Sequence, residues 1–581
     1  MGLTRRSFLA TGSAAFALAA RRSHARPRRT AGDDSTSAAP RRTTAPGSTP
    51  DEADLIFRGG PVLTSNDQAP RAEAVAVTRG IISAVGLASD VMAHKGPRTQ
   101  LIDLKGHALA PGFFDVHMHT AFAIQDSWLD LGPATTKDVE GALAKLKAAT
   151  ASTPPGAWIL GKLFDPSIMP GPPITMGLLD SVAPNHPVWI LESNGHVAYA
   201  NSKAFAAAGI TDSTPDPPQG RYVRENGTLT GRVEEPPAYE PFSAKMPRPT
   251  PQEFADGVRR IFGRAAAAGC TCLHDCGLGS IAGAPDVDAL SAIMRSDPPV
   301  RYSAFLVSSH MDTWLGMGLT PNSGNDRFRL TGIKLWSDGS NQAKTGYQRE
   351  PYLNSTSVGS LNYTLEELTA TMQRAHDLGW QLGVHANGDA AIDAVLQAYA
   401  SVLTKTPRAN HRHRIEHSSI LHRDQMQKMK ELAISPSFLI GHVYYWGRAF
   451  RDDILGPRRA NLYDPCRSAL EAGLRITLHS DYNVTPIAPL HFIETAVTRV
   501  MRDGGGVLNP DERITAQQAL KAVTLDAAWQ CRKDDITGSI EPGKCADFVV
   551  LEKDPTAVDP ATIASIKVVE TWLGGYKRQT S

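Results

Sequence analysis

Two histidines one residue apart, His117 and His119, close the run Leu109-Ala-Pro-Gly-Phe-Phe-Asp-Val-His117-Met-His119. On a strand, side chains alternate with period two, so both imidazoles face the same side. Two imidazoles on one face of a strand end can grip one metal ion. By itself the His-x-His pattern is weak. It gains meaning from Lys334, His385, His417 and Asp481, each of which ends a further apolar run.

Positioning six such residues requires several strands that end at one place. The central part of the chain alternates short apolar runs with amphipathic helical stretches. Candidate strands end at His117 to His119, Cys270 to Asp275, Arg301 to Val307, Ile333 to Ser337, Leu382 to His385, His413 to His417, Ile434 to Phe438 and Ile476 to Asp481. Helical stretches such as Leu365 to Leu378 and Ala390 to Leu403 lie between them. Eight β units alternating with helices predict a (β/α)8 TIM-like barrel, whose active site forms at the C-terminal strand ends. The gap from Thr120 to Gly269 is too long for one crossover and predicts a large insertion after the first strand. Short strands at Leu55 to Phe57, Ala74 to Val77 and Ile81 to Val85, with others at Ala546 to Leu551 and Val568 to Trp572, predict one small composite β-sandwich domain built from both chain ends. The expected divisions are 51–110 with 535–581 for the β-domain and 111–534 for the barrel, with the insertion at about 121–260.

The 581 residues exceed one small domain, and 41% apolar with 20% charged residues fits a globular protein. The net charge of +1 hides an asymmetry: residues 1–43 hold nine Arg and two Asp, so the remainder is mildly acidic. That gives no electrostatic reason to expect nucleic-acid binding. Thr4-Arg5-Arg6-Ser7-Phe8-Leu9, an apolar stretch to Ala20 and the small-x-small end Ser23-His24-Ala25 read as a twin-arginine signal peptide over 1–25. Residues 26–50 read as a disordered linker. The expectation is export to the periplasm or secretion, with the export machinery as partner and no stable membrane span in the mature chain. Six cysteines at 270, 272, 276, 466, 531 and 545 do not have zinc-ribbon spacing, and the first three read as buried strand residues. An oxidising compartment permits a disulfide without requiring one.

The chain resembles the amidohydrolase superfamily, and within it the amidohydrolase family 3 group that includes N-substituted formamide deformylases. The stretches that carry the resemblance are Ala110 to His119, Ser193-Asn-Gly-His196 through Asn201-Ser202, Ile333-Lys334-Leu-Trp-Ser-Asp338-Gly339, Val384-His385-Ala-Asn-Gly388-Asp389, Arg414-Ile-Glu416-His417, Ser480-Asp481 and Gly538 to Asp547. The resemblance implies that His117 and His119 hold the more buried metal, with Asp481 as a further ligand, while His385 and His417 hold a second. It implies either a carbamylated Lys334 bridging two metals or an ordinary lysine beside one. A divalent metal, zinc by the preference of an imidazole-rich site, lowers the pKa of bound water to about 7. The resulting hydroxide attacks a carbonyl, and Asp481 passes the proton to the leaving nitrogen.

Other residues are candidates for the substrate pocket. His196 lies in the insertion and either contacts substrate or packs. His442 and Trp446 belong to the aromatic cluster His442-Val-Tyr-Tyr-Trp446, which suits an apolar substrate or packing against the insertion. Arg414 and Glu416 flank His417, and alternation predicts that they point away from the cavity as a core ion pair. His479, Asp389, Asp338 and His274 are supporting candidates. The functional expectation is an exported metal-dependent hydrolase of a small molecule, cleaving a non-peptide carbon–nitrogen bond in an amide or N-formyl compound. The alternatives are an ester or lactone hydrolase and a non-catalytic periplasmic binding protein. A homo-oligomer is left open.

Overall fold

The computed structural model describes residues 52–578. The twin-arginine leader and the linker expected from the sequence lie outside the described residues. Eight parallel strands form the centre: β1 (Phe113–Met118), β2 (Cys270–Leu278), β3 (Arg301–Val307), β4 (Phe328–Trp336), β5 (Gln381–Ala386), β6 (Arg414–His417), β7 (Ser435–Phe438) and β8 (Thr477–Leu478). They pair in chain order from β1 to β8. Closure comes just past the short β8: Asp481 N–H donates to the His117 carbonyl at 2.9 Å, and His119 N–H to the Tyr482 carbonyl at 3.0 Å. The bonds that shut the barrel therefore seat Asp481 beside the His-x-His pair. This is the eight-unit barrel that the alternating pattern predicts.

The helices show why the chain folds this way. Helix α1 (Pro251–Ala267) starts at a Thr250–Glu253 capping box with Pro at its first position. Its buried Val258, Ile261, Phe262, Ala265 and Ala266 recur at helical spacing and face the barrel. Helix α2 (Leu365–Asp377) begins with the same device at Thr364 and Glu367, and α3 (Asp389–Lys405) follows β5 directly. Inside the barrel, Arg414 is fully buried, donates from Nε to Glu416 Oε1 at 2.5 Å and from Nη2 to the Val116 carbonyl at 2.8 Å, and lies over the Phe305 ring. Gly383 on β5 leaves the space that Phe305 and the Glu416 carboxylate occupy.

Both chain ends contribute to one eight-stranded sheet. Val568–Leu573 and Phe548–Leu551 continue through Ala108–Pro111 to Leu55–Leu63 and Arg71–Thr78. Phe57 packs edge-on against Phe548 and Trp572 at 5.3 and 5.0 Å. The segment after β1 forms a six-stranded sheet from Leu129–Asp130 to Thr228–Glu234, with an apolar cluster on each face. All six cysteines are unpaired, and Cys270, Cys272 and Cys276 are buried on β2. No helix among the described residues is long and apolar enough to cross a membrane.

A buried ion pair clamps the barrel to the terminal sheet. Arg301 at the start of β3 donates to Asp547 at 2.6 and 3.1 Å, and Asp547 also accepts the Gly574 N–H at 2.8 Å. Removing one partner leaves an uncompensated buried charge. Asp547→Ala is expected to lower stability by about 3–5 kcal/mol, read as a fall in the denaturation midpoint. A shift under about 1 kcal/mol, the worth of an exposed pair, would show that the clamp contributes little.

Candidate active site

Four strand-end histidines, one lysine and one aspartate meet at the C-terminal mouth of the barrel. Asp481 Oδ1 lies 3.1 Å from His119 Nε2 and 3.5 Å from His117 Nε2. Lys334 Nζ is 3.3 Å from the same His117 nitrogen. The rings of His117 and His417 are 4.8 Å apart, and those of His385 and His417 4.6 Å. His479 stacks on His117 at 4.6 Å.

Carboxylates behind the imidazoles set their tautomers. Glu416 Oε2 accepts from His117 Nδ1 at 2.7 Å, so the hydrogen sits there and Nε2 keeps its lone pair toward the mouth. Asp275 Oδ1 stands 3.7 Å from His119 Nδ1, and its other oxygen accepts from Thr120 and Tyr302. The Gly339 carbonyl, which can only accept, takes His385 Nε2–H at 3.0 Å and leaves Nδ1 as the ring nitrogen with a lone pair. His417 Nδ1 and His479 Nδ1 are buried without a partner.

Glu416 corrects a sequence expectation. Strict alternation would turn it away from the cavity if His417 faces in. The backbone instead takes φ of 68° at His417 and 49° at Ser418, which breaks the period at the strand end. Both Glu416 and His417 then serve the mouth, one from beneath His117 and one beside it.

The electrostatics divide the cluster. Burial, reinforced by Lys334, holds His117 well below the ordinary imidazole range; burial also holds His417 well below it and lowers His385. These rings are neutral and able to donate electron pairs. Burial would also lower His119, but its bonds to Asp275 and Asp481 outweigh it and raise it to about 9. Asp481 is likewise opposed by burial, yet the His119 bond and charge hold it far below the carboxylate range. Burial lowers Lys334, which is fully enclosed and has no carboxylate partner within ion-pair distance among the described residues. A lysine in such a place favours the neutral amine.

These donors fit a metal. Ligand atoms of His117, His119 and Asp481 lie within 4.8 Å of one another, as do those of His117, His417 and His479. The grouping of His117, Cys276 and Glu416 is accounted for by Arg414, which donates to both Glu416 and Cys276. His385 joins none of these groups and reaches the cluster through its ring contact with His417.

The pocket candidates divide. His196 Nδ1 pairs with Glu235 at 2.8 Å, and its ring lies 5.0 Å from that of His385. Gly339 gives the room for Glu235: a Cβ there would overlap its carboxylate. His442 Nε2 meets Gln342 Nε2 at 2.8 Å. Trp446 is buried, and its indole N–H donates to Asp165 Oδ2 at 2.9 Å, pinning the insertion to helix α4 (Gly441–Ala449).

Comparison with known proteins agrees with this geometry. The amidohydrolase family model matches residues 100–576. N-substituted formamide deformylase of Arthrobacter pascens is 30% identical, over 90% of this chain and 98% of that protein. The chain belongs to the amidohydrolase family. Protein LONG AFTER FAR-RED 3 of Arabidopsis thaliana is 28% identical over 90% of this chain and 91% of its own length. A solved structure of an uncharacterized metal-dependent hydrolase from Pyrococcus horikoshii OT3 superposes with a TM-score of 0.68 at 23% identity, covering 87% of this chain and 99% of that one. This amidohydrolase is thus a hydrolytic enzyme acting on carbon–nitrogen bonds.

Sequence reasoning missed Glu235, Gln342 and Asp275 in this amidohydrolase. Asp275 closes the run Cys270 to Asp275 read from the sequence, and that position was its available signal, although β2 itself continues to Leu278. Glu235 and Gln342 carry no local signal, because their partners are 39 and 100 residues away.

Proposed function

We propose that the enzyme is a metal-dependent hydrolase of small-molecule amides or N-formyl compounds. The observation that carries the reading is the convergence of neutral imidazoles, Asp481 and the enclosed, unpaired Lys334 at one barrel mouth. His117, His119 and Asp481 would hold one divalent metal, and His385 and His417 a second. Zinc is the metal that best suits imidazole-rich donors. When bound, such a metal polarises a carbonyl and makes water acidic enough to attack near neutral pH.

This chain's own residues do the rest. Asp481 Oδ2, the oxygen not bonded to His119, accepts the water proton and hands it to the departing nitrogen. Glu416 and Asp275 keep His117 and His119 turned toward the reacting centre. His196, steadied by Glu235, offers its second ring nitrogen to the substrate from the insertion side. The insertion is tied to the barrel through Trp446 and Asp165, which holds His196 in place over the mouth.

The test is metal analysis of the purified protein with a panel of formamides, longer amides, and matched esters and lactones. Metal bound in about one or two equivalents with amide turnover supports the reading; ester turnover alone, or activity without metal, overturns it. Lys334→Ala distinguishes one metal from two. A carbamate on Lys334 forms from its amine and dissolved carbon dioxide, so the variant should lose one metal equivalent, and a small carboxylic acid should partly restore it. An unchanged metal count and rate would remove the carbamate.

Export is part of the same proposal and is supported by the leader's sequence. Replacing Arg5 and Arg6 with Lys is expected to leave precursor in the cytoplasm. Periplasmic activity at the normal level in that variant would overturn it.

A further inference from the structure

We propose that the substrate's far end is anionic and is received by a cleft between the insertion and the loops after β4 and β7. This rests on the amide-hydrolase reading above and names the substrate class. A cavity of about 580 Å³ lies there, lined on the insertion side by Ile168 and Met169 and on the barrel side by Gln342, Lys344, Tyr445 and Arg448.

The cleft adjoins the metal-competent cluster through the loop after β4: the Gly339 carbonyl bonds His385, and Gln342, three residues on, lines the cleft. His442, Tyr445, Ala449 and Asp453 recur at helical spacing along α4 and the wider turn that extends it over Phe450–Ile454. One stripe therefore runs from His442, which Gln342 bonds, out to the cleft wall. Gln342 joins the two. It bonds His442 with one end of its carboxamide, it is 5% exposed, and the other end is buried without a partner. An unpartnered amide atom at that place calls for a polar group on a ligand. A secondary amide supplies both a donor and an acceptor and so meets either orientation of the carboxamide.

Charge sets the other end. Most cleft charges are already paired: Arg232 lies between Glu234 at 2.8 Å and Glu192 at 4.0 Å, Arg221 gives Glu234 a second guanidinium at 2.7 Å, and Arg502 pairs with Asp503 at 2.6 Å. Three remain. Lys344 reaches only the Asp453 backbone carbonyl at 3.5 Å. Arg448 makes no ion pair or hydrogen bond among the described residues, and the Asp453 carboxylate makes no ion pair. Two cations against one anion favour a carboxylate. Arg448 stands six residues beyond His442, about 9 Å along the helix, so the carboxylate belongs several bonds from the scissile amide rather than next to it.

The experiment compares three formamides of equal length: N-formyl-6-aminohexanoate, N-formylhexylamine and mono-N-formyl-1,6-diaminohexane. The metal-loaded enzyme is expected to favour the carboxylate over the neutral compound by about tenfold in kcat/KM, mainly through KM, the worth of one charge-assisted contact. In Lys344→Ala/Arg448→Ala that ratio should fall to about one, and Arg448→Glu should reverse it. Both side chains are exposed, so these variants retain the fold. Calorimetry with the same compounds on Asp481→Asn protein reads the cleft independently of turnover. If no amide is cleaved yet the carboxylate binds better than the other two, the amide reading fails and the anionic cleft stands. Equal binding of all three, a preference for the ammonium compound, or a preference unchanged in the double variant overturns the proposal.

Discussion

Alanine at both His117 and His119 is expected to yield a folded protein that holds no metal at the first position and does not turn over substrate. Losing an outer-shell partner of a metal ligand typically costs about 10–100-fold in affinity or activity; losing two ligands at once should exceed that. The fold should survive because the main core cluster is assembled largely from apolar strand and helix side chains rather than from the histidines. Glu416 would lose its His117 bond but keep its pair with Arg414. Metal analysis, circular dichroism and a rate assay on one preparation decide it. Full activity in a demonstrably metal-free double variant would refute the metal assignment altogether.

Asp481→Asn separates proton transfer from metal retention. The carboxamide matches the carboxylate in size, and the Asp481 backbone N–H that helps close the barrel is untouched. Lost is the basic oxygen. Turnover should fall by about 10²–10⁴-fold, the range for a missing general acid–base group, while part of the metal remains on the imidazoles. The loss should appear in kcat rather than in KM. An Asn variant as active as the parent would place the proton shuttle elsewhere, with His196 and His479 the next residues to replace.

The two variants probe different kinds of information in the chain. His117 and His119 were legible because a two-residue period on a strand is a local rule. The eight-strand order was legible for a similar reason, since buried parallel strands read as short apolar runs separated by amphipathic helices. The polar strand ends were legible as a set because the fold collects strand C-termini at one mouth. Glu416 was not, because a left-handed backbone at His417 and Ser418 overrides alternation just where the strand ends.

The substrate side of the site lay further still from local rules. His196 meets Glu235 only after the insertion folds its own sheet, and Gly339 admits that carboxylate only because it lacks a Cβ. Trp446 read from the sequence either as a substrate contact or as packing against the insertion, and its indole N–H goes to Asp165 of the insertion, 281 residues away. Periodicity and strand-end chemistry are local and can be read along the chain, so the barrel and its inward-facing donors were determined by the sequence alone. Which carboxylate sits behind which imidazole, and which loop walls the cleft, depends on contacts between distant segments, and only the tertiary structure decided them.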